Sequence, residues 1–360
     1  MSETEPGVLD PRKIKRRSIN LATGEAVKTR LLDGRSLPLV MEPALSALNP
    51  VSWAENNLQC IETLLLKYGA LLFRGFSINS AEQFAAFVNA ISGEPLKYEE
   101  RSAPRSEIQS GIYTSTDYPA DQSIFPHNEH SYAMTVPLRL YFCSLVPALT
   151  GGATPIADCR RLMARLNPRL IEKFQRLGWM YVRNFGDGFG LSWQTAFQTT
   201  NKKVVEDYCR RADISFEWKS GDRLRTRQIR PAISVHPRTQ EPVWFNHATF
   251  FHVSTLAPAT RDVLLKEFSE TDLPNNTYYG DGSPIGPGEL EELRRAYIDE
   301  TVRFPWERGD VLLIDNMLTA HSREAFTGSR RVLVAMAEPV TRDANDAQRF
   351  CDVSARELRV

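Results

Sequence analysis

The stretch FPHNEHSY, residues 125–132, contains a His-x-Glu pair, and the interpretation of the whole chain starts from it. Side chains alternate between the two faces of a β-strand, so His127 and Glu129 project together if this stretch is extended. An imidazole and a carboxylate on one face can fill two positions around a divalent first-row metal ion. The third ligand must then come from a distant part of the chain. Because a lone His-x-Glu pair often arises by chance, the metal hypothesis depends on residues elsewhere.

The composition is that of a globular protein without net charge. The chain has 360 residues, 42% hydrophobic and 24% charged, and its 44 basic and 44 acidic residues cancel. This balance argues against nucleic acid or an anionic membrane as a partner. No apolar run reaches the roughly 18 residues of a membrane span, and the N-terminus lacks the apolar region of a secretory signal. The scattered, odd-numbered cysteines predict reduced thiols and a cytoplasmic location.

Helices are predicted mainly in the first part of the chain. Apolar residues at helical spacing predict a helix from Ser52 to Tyr68, with Gly69 as its stop. A short buried strand follows at residues 70–76. Ser80 and Gln83 have the spacing of a capping box at the start of the next helix. Further on, Asn167-Pro168 has the form of an N-cap followed by proline at the first helical position.

Strand patterns dominate the middle and the end of the chain. Residues 138–145 alternate in polarity, and two apolar strands are predicted at 310–316 and 330–336. The predicted fold is mainly β with flanking helices, in the form of a β-barrel or double-sheet jelly roll. Between these strands, residues 180–300 are expected to form a long insertion that covers the site as a lid. Flexible tails are predicted at residues 1–35 and 346–360, flanking one domain at 36–345.

His321 is the candidate for the third ligand. It follows the strand at 310–316, which ends in Asp-Asn, and it precedes the pair Arg330-Arg331 at the start of the next strand. An unpaired guanidinium on an apolar strand is costly, and a bound dicarboxylate would supply its partner. The simpler interpretations are a structural histidine and an arginine paired with an internal carboxylate. The same choice between core and substrate pocket applies to His247 and His252.

Four stretches in order resemble one enzyme family: YGALLFRGF at 68–76, FPHNEHSY, LVPALTGGATPIAD at 145–158 and GDVLLIDNMLTAHSREAFTGSRRVLVAM at 309–336. Together they are similar to the taurine dioxygenase/TfdA superfamily of iron(II)- and 2-oxoglutarate-dependent oxygenases. The most similar branch is the clavaminate synthase-like and SyrP-like group, which favours His-x-Glu. The resemblance implies a double-stranded β-helix core, cupin-like in form. It also implies Fe(II), 2-oxoglutarate and O2 as cofactor and co-substrates.

The resemblance also implies roles for particular residues. His127, Glu129 and His321 match the iron ligands, and Thr154 matches the hydroxyl that binds a 2-oxoglutarate carboxylate. The matching guanidinium is Arg331, although strand alternation alone does not decide between Arg330 and Arg331. Taurine dioxygenase has a further arginine, four residues on, for its sulfonate. This chain has Ala335 there, which argues against a sulfonate substrate.

The predicted activity is hydroxylation of an sp³ carbon of an amino acid, free or tethered to a carrier protein, in secondary-metabolite biosynthesis. A carrier could dock on the basic residues 12–17. Two alternatives stay open: the same chemistry on another small carboxylate, and a noncatalytic cupin-like metal-binding protein. Five residues are candidates for substrate contacts, with surface pairing or core packing as their ordinary alternatives: Arg101, Arg105, Asp117, Trp244 and Asn246.

Overall fold

The computed structural model describes seven stretches of the chain: residues 26–32, 34–45, 48–96, 107–109, 111–115, 118–186 and 188–342. The β-strands are, in chain order, β1 Val27–Leu31, β2 Leu39–Pro43, β3 Ala70–Phe73, β4 Glu107–Gln109, β5 Ile112–Thr114, β6 Ile124–His127, β7 Thr135–Val146, β8 Thr150–Gly151, β9 Ile156–Asp158, β10 Trp179–Phe185, β11 Ile214–Lys219, β12 Arg223–Arg230, β13 Ile233–Val235, β14 Pro242–Trp244, β15 Asn275–Tyr279, β16 Thr301–Val302, β17 Val311–Asp315, β18 Thr319–Arg323, β19 Phe326–Thr327 and β20 Arg331–Thr341.

The helices lie early in the chain and between the later strands. They are α1 Pro50–Glu55, α2 Leu58–Tyr68, α3 Ala81–Ser92, α4 Cys159–Arg165, α5 Pro168–Leu177, α6 Trp193–Phe197, α7 Lys202–Arg211, α8 Pro258–Glu267 and α9 Pro287–Glu300. Short 3₁₀ turns occur at Val253–Thr255 and Glu270–Asp272.

Two facing sheets form the core. The large sheet has the order β1-β2-β3-β17-β7-β20-β5-β4, and the small sheet has the order β16-β9-β18-β6. All neighbours in the two sheets are antiparallel except β2 and β3. The space between them is filled by apolar side chains from both sheets, including Phe142 and Val334 from the large sheet and Ile156 from the small one. This is the predicted jelly-roll core, so the fold class is confirmed.

The outer face of the large sheet is covered by the early helices. Alternate residues of the central strands, such as Leu71 and Leu313, point away from the small sheet. They pack against Phe84 and Phe87 of α3 and against Trp53 of α1. The two faces of each strand therefore lie in different apolar cores, which explains why these strands are apolar along their whole length.

Residues 180–300 form a layer with a sheet of its own. Strands β11, β12, β10 and β15 pair in that order. An apolar cluster that includes Trp193 and Val205 packs beneath α6 and α7. The expected irregular insertion is thus largely regular structure, and its role as a lid stays a prediction.

The N-terminal boundary and the first helix differ from the sequence-based expectation. Strand β1 pairs with β2 along its whole length, so the predicted tail at residues 1–35 is wrong for residues 27–31. The predicted helix from Ser52 to Tyr68 is two helices. The side-chain amides of Asn56 and Asn57 bind the carbonyls of Ser52 and Trp53 at 2.7 Å and compete with the helical hydrogen bonds. The predicted C-terminal tail lies outside the described residues.

Candidate metal centre

Two neighbouring strands of the small sheet bring the predicted histidines together. His127 ends β6 and pairs directly with His321 in the middle of β18. Their ring centroids are 4.4 Å apart. One carboxylate oxygen of Glu129 lies 3.7 Å from Nε2 of His321. The candidate ligand atoms of the three side chains all lie within 4.8 Å of one another.

Glu129 reaches this position from a turn, not from a strand. Strand β6 ends at His127, so the alternation argument that paired the two residues was wrong in its premise. Asn316, just after β17, holds the turn instead. Its side chain accepts a hydrogen bond from the Glu129 amide at 2.8 Å and donates one to the Glu129 carbonyl at 2.9 Å. The backbone of this buried glutamate is therefore fixed on both sides.

The donor atoms suit a divalent first-row metal ion. Nδ1 of His127 donates a hydrogen bond to the Phe125 carbonyl at 2.9 Å, which leaves Nε2 with its lone pair. Two imidazoles and one carboxylate on one side of an ion are the donor set of non-haem iron(II) oxygenases. The residues present therefore fit iron, and the remaining positions are open to other ligands.

A buried charged group supports the strand that carries His321. Asp315, at the end of β17, accepts hydrogen bonds from the amides of Met317 and Leu318 at 3.0 and 3.2 Å. Its other oxygen accepts from Arg139 and, at 3.0 Å, from Nε2 of His236. The sequence placed Asp315-Asn316 at the end of the strand but did not predict the buried group that Asp315 forms with Arg139 and His236. The partners are 176 and 79 residues away in the sequence, so no local pattern reveals them.

A narrow pocket of about 30 Å³ lies beside the two histidines on the closed side of the site. Arg330 enters it and donates hydrogen bonds to the Gly152 carbonyl at 2.8 Å and to the hydroxyls of Ser115 and Thr154 at 3.3 Å. Trp306 also donates to the Thr154 hydroxyl, at 3.1 Å. Thr154 therefore lies in the pocket beside the two histidines, and its role in binding 2-oxoglutarate stays a prediction.

The arginine chosen from the sequence is the wrong one of the pair. Arg331 is exposed, on the opposite face of the strand, whereas Arg330 lines the pocket. Regular strand alternation puts Arg330 on the same side as Val332 and Val334, which also line the pocket. On the pocket side, the position four residues after Arg330 is Val334. Ala335, used in the sequence argument, faces the helices, but the conclusion that no second arginine follows is unchanged.

Arg330 is a cation without an anion among the residues that the structure describes. Within those stretches, no carboxylate lies within ion-pair distance of its guanidinium. Burial, together with the positive charge of Arg323, lowers the pKa of Arg330 to about 10, which leaves it protonated at neutral pH. A carboxylate in this pocket would gain a charge-assisted hydrogen bond.

The five predicted substrate contacts are not supported. Arg101, Arg105 and Asp117 lie outside the described residues. Trp244 is fully buried and packs edge-on against Phe174 in the hydrophobic core. Asn246 donates to the Ala232 carbonyl at 2.8 Å and accepts from the amide of Ala248 at 3.0 Å. Both side chains make their contacts inside the protein. The prediction that they form a wall of the substrate pocket is therefore wrong.

Two aromatic residues beside the centre, Phe250 and Phe251, were not singled out from the sequence, whereas His247 was considered for the core or the substrate pocket. The ring of Phe250 lies 4.5 Å from that of His127. His247 stacks on Phe251 with centroids 4.7 Å apart and hydrogen-bonds through Nδ1 to Ser131. Burial holds the pKa of His247 well below its usual value, so this imidazole is neutral. The segment after β14 therefore shields one side of the centre from water.

A wider cavity of about 510 Å³ approaches the centre through His130, the residue after Glu129. His130 forms part of its wall, and Nε2 of His130 lies 3.6 Å from the Glu129 carboxylate. Met336, on the same face of β20 as Arg330, contributes another part of the wall. The exposed Arg211, at the end of α7, also borders the cavity. Two of the candidate ligands thus line the closed, cationic pocket, and the open cavity reaches the neighbourhood of the third through His130.

This fold and this site define the class of protein: it is an iron(II)- and 2-oxoglutarate-dependent oxygenase. The chain belongs to the family described as "Taurine catabolism dioxygenase TauD, TfdA family", whose profile matches residues 38–337. The resemblance drawn from the four motifs is confirmed by this match.

Two curated proteins are similar along most of the chain. The dapdiamide synthesis protein DdaC of Enterobacter agglomerans is 41% identical over 286 residues, covering 79% of this chain and 87% of DdaC. A clavaminate synthase-like protein of Arabidopsis thaliana is 29% identical over 313 residues, covering 84% of this chain and 91% of that protein.

Among solved structures, PvcB of Pseudomonas aeruginosa has the same fold. One structure superposes with a TM-score of 0.53 at 16% identity, covering 91% of this chain and 100% of PvcB. Another, with a TM-score of 0.50 and 16% identity, covers 90% of this chain and 95% of PvcB. PvcB is described there as an Fe, alpha-ketoglutarate dependent oxygenase from an isonitrile synthetic pathway. In the described part of the present chain, no helix has the length and apolar character needed to cross a bilayer.

Proposed function

We propose that the protein hydroxylates an sp³ carbon of an amino acid, free or tethered to a carrier protein, in secondary-metabolite biosynthesis. The observation that carries the proposal is the meeting of His127, Glu129 and His321 beside a cationic pocket. The similarity to DdaC, a dapdiamide synthesis protein, supports a role in biosynthesis. A carrier protein is a partner only under this proposal, and the basic cluster at residues 12–17 lies outside the described residues.

In this proposal His127, Glu129 and His321 hold Fe(II). When bound with 2-oxoglutarate, the iron uses O2 to oxidise 2-oxoglutarate to succinate and CO2 and to convert a substrate C–H bond into C–OH. The protein contributes a fixed ligand geometry through the Asn316 hydrogen bonds to Glu129. The apolar and aromatic side chains around the centre exclude water from it.

Arg330 and Thr154 bind the distal carboxylate of 2-oxoglutarate in this proposal. The guanidinium is planar and carries several N–H donors, so it can hold a carboxylate by two hydrogen bonds. Trp306 already donates to the Thr154 oxygen, which leaves the hydroxyl proton free to turn towards a carboxylate.

The open cavity is the proposed substrate side. Its wall combines apolar side chains such as Leu96 and Met134 with the polar His130 and the cation Arg211. A volume of about 510 Å³ is within the range of small-molecule sites, roughly 300–1,000 Å³. The cation at the rim suits a substrate with a carboxylate or another anionic group. Val334 stands four residues after Arg330, so the sulfonate-binding arginine of taurine dioxygenase has no counterpart on the pocket side, which argues against a taurine-like substrate.

An anaerobic titration tests the oxygenase part of this proposal. The protein is loaded with Fe(II), 2-oxoglutarate is added, and the weak visible charge-transfer absorbance of the chelate is followed. We expect saturation with the wild type and no absorbance with His127→Ala or His321→Ala, because each variant loses one of three protein ligands. A noncatalytic cupin-like protein would bind the metal without this absorbance. That result would overturn the proposed function.

A further inference from the structure

The closed pocket contains a second buried arginine, Arg323, two residues after His321. The ring of Phe326 lies close to both guanidinium groups, with its centroid 5.4 Å from Cζ of Arg323 and 5.5 Å from Cζ of Arg330. Both arginines line the pocket that also contains His127. The aromatic ring therefore packs near two like charges and offers its electron-rich face to cations.

Arg323 is held by backbone carbonyls and not by a carboxylate. It donates to the carbonyls of Tyr118 at 3.0 Å, Pro119 at 2.5 Å and Gln122 at 2.7 Å. Within the stretches that the structure describes, its Nε has no hydrogen-bond partner and no carboxylate lies within ion-pair distance. The residue is 7% exposed. A buried cation with this environment keeps its full charge while lacking a counter-ion.

Two such cations in one narrow pocket repel each other, and a carboxylate that enters the pocket is attracted by both of them. A 2-oxo acid without a distal carboxylate gains neither attraction. We propose that Arg323 is the second cation of the co-substrate pocket and makes it selective for dianionic 2-oxo acids over monoanionic ones. This inference rests on the proposed function, in which Arg330 binds 2-oxoglutarate. It assigns to Arg323 an electrostatic role in addition to its hydrogen bonds to the loop at 118–122.

A purely structural role for Arg323 makes a different prediction. If Arg323 only holds the loop that leads into β6, its loss should disturb His127 and weaken the binding of every 2-oxo acid equally. If its charge acts on the ligand, removal of the charge should weaken mainly the binding of the dianion. Lysine at this position keeps the charge and removes the planar donor group that reaches three carbonyls. The two roles are therefore separable with two variants.

The experiment is an anaerobic binding titration of the Fe(II)-loaded protein with two ligands. 2-Oxoglutarate is compared with 2-oxopentanoate, which has the same chain length and lacks the distal carboxylate. The dissociation constants are measured from the visible absorbance for the wild type, Arg323→Gln and Arg323→Lys. Arg331→Gln is the matched control, because it removes an exposed arginine from the same segment. Thermal unfolding of each variant checks that it folds.

We expect Arg323→Gln to weaken 2-oxoglutarate binding by about tenfold and 2-oxopentanoate binding by less than about twofold. Arg323→Lys and Arg331→Gln should bind both acids within about twofold of the wild type. Equal weakening of both ligands by Arg323→Gln or by Arg323→Lys would overturn the inference in favour of a positioning role. If Arg323→Gln does not fold, the affinities of Arg323→Lys for the two acids decide alone. A wild type that gives no absorbance with either acid contradicts the proposed function instead.

Discussion

Arg330 and Arg331 are adjacent in the chain and have opposite environments. In β20, Val334 lines the pocket beside the candidate ligands, whereas Leu333 packs on the other face against the early helices. Arg330 lies on the side of Val334, and Arg331 lies in solvent. A guanidinium on the pocket side has lost its hydration, so a ligand carboxylate there gains more than one at the surface.

Arg330→Ala should therefore weaken 2-oxoglutarate binding strongly. The loss of a charge-assisted, desolvated contact corresponds to about 2–4 kcal/mol, or roughly 30- to 1,000-fold in the dissociation constant. Arg331→Ala is the control and should change the constant by less than about threefold. The measurement is the anaerobic titration with Fe(II) present. Equal effects of the two variants would show that the two side chains do not differ in their access to the ligand.

Individual residues of the site differ in how well the sequence predicted them. The three candidate ligands were found because a short motif and a distant histidine belong to ordered stretches that resemble one family, and the structure brings them together. The choice between the two arginines failed because both faces of β20 are apolar and buried, so the alternation pattern does not mark which face lines the pocket. The prediction of Trp244 and Asn246 as substrate contacts failed because their burial depends on α5 and on Ala232. These contacts lie outside the local sequence.

At the scale of elements, the turn after β17 connects three parts of the site. Asn316 binds both backbone groups of Glu129 and also donates to the Pro137 carbonyl at 2.8 Å. Asn316→Ala should lower the affinity for Fe(II) or Mn(II) by about 10- to 100-fold, because groups that orient a metal ligand have effects of this size. Metal binding is measured by calorimetry.

A buried asparagine remote from the centre provides the control for Asn316. Asn184 in β10 donates to the Thr271 and Leu273 carbonyls at 3.1 and 2.7 Å. Asn184→Ala should lower the free energy of unfolding and leave the metal affinity within about twofold of the wild type. The same loss of metal affinity in both variants would mean that general destabilisation, and not the position of Glu129, explains the effect.

Asp315 makes the stability of these elements depend on pH. Burial on its own would raise the pKa of this carboxyl, but the hydrogen bond from His236 and the charge of Arg139 outweigh it and lower the pKa below its usual value. A group with a lower pKa in the folded state stabilises the fold above its unfolded-state pKa of about 3.9. This contribution is lost as the pH falls through about 4 towards the folded-state pKa.

Asp315→Asn should therefore reduce stability at neutral pH and flatten its acid dependence. Breaking the buried pair with Arg139 should cost about 3–5 kcal/mol at pH 7. Urea unfolding of the metal-free protein is measured at neutral pH and near pH 4. Asp262→Asn, an exposed position on α8, is the control and should follow the wild type. An acid dependence as steep in Asp315→Asn as in the wild type would contradict the assignment.

Local signals predicted elements well where the determinants lie within a few residues. The side chains of Ser80 and Asn167 cap their helices as expected, with hydrogen bonds at 3.2 and 3.0 Å. Gly69 ends α2 in the left-handed region, at φ 74°. The break between α1 and α2 was missed because the apolar spacing continues through it. The polar side chains of Asn56 and Asn57 carry that signal.

At the scale of the whole molecule, β20 joins the two sides of the centre. The residues on its inner face run from Val332 and Val334, which line the closed pocket, to Met336, which lines the open cavity. The jelly roll was predicted because long apolar strands and the family motifs specify it. The sheet within residues 180–300 was not predicted. Its strands are mixed in polarity, with Arg225 and Arg227 in β12, and pair across long separations.

Narrowing the open cavity should separate substrate turnover from co-substrate binding. Thr135, exposed at the start of β7, borders the cavity. Thr135→Trp adds a large side chain there and should lower substrate-dependent consumption of 2-oxoglutarate by at least about tenfold, because misplacing a substrate by about 1 Å has effects larger than this. The anaerobic absorbance with Fe(II) and 2-oxoglutarate should not change. Thr63→Trp, on the exposed face of α2, is the control.

The substrate class is tested by the same measurement with a panel of compounds. Free amino acids, their carrier-bound thioesters, sulfonates and aryloxyacetates are supplied in turn, and succinate formation is followed. We expect stimulation by an amino acid or its thioester, because Arg211 at the rim of the cavity suits an anionic group and Val334 leaves no cation for a sulfonate. Thr135→Trp should suppress that stimulation. Turnover with only sulfonates or aryloxyacetates would reject the amino-acid assignment and leave the oxygenase assignment intact. Equal turnover by Thr135→Trp and the wild type would mean that the substrate approaches the centre by another side.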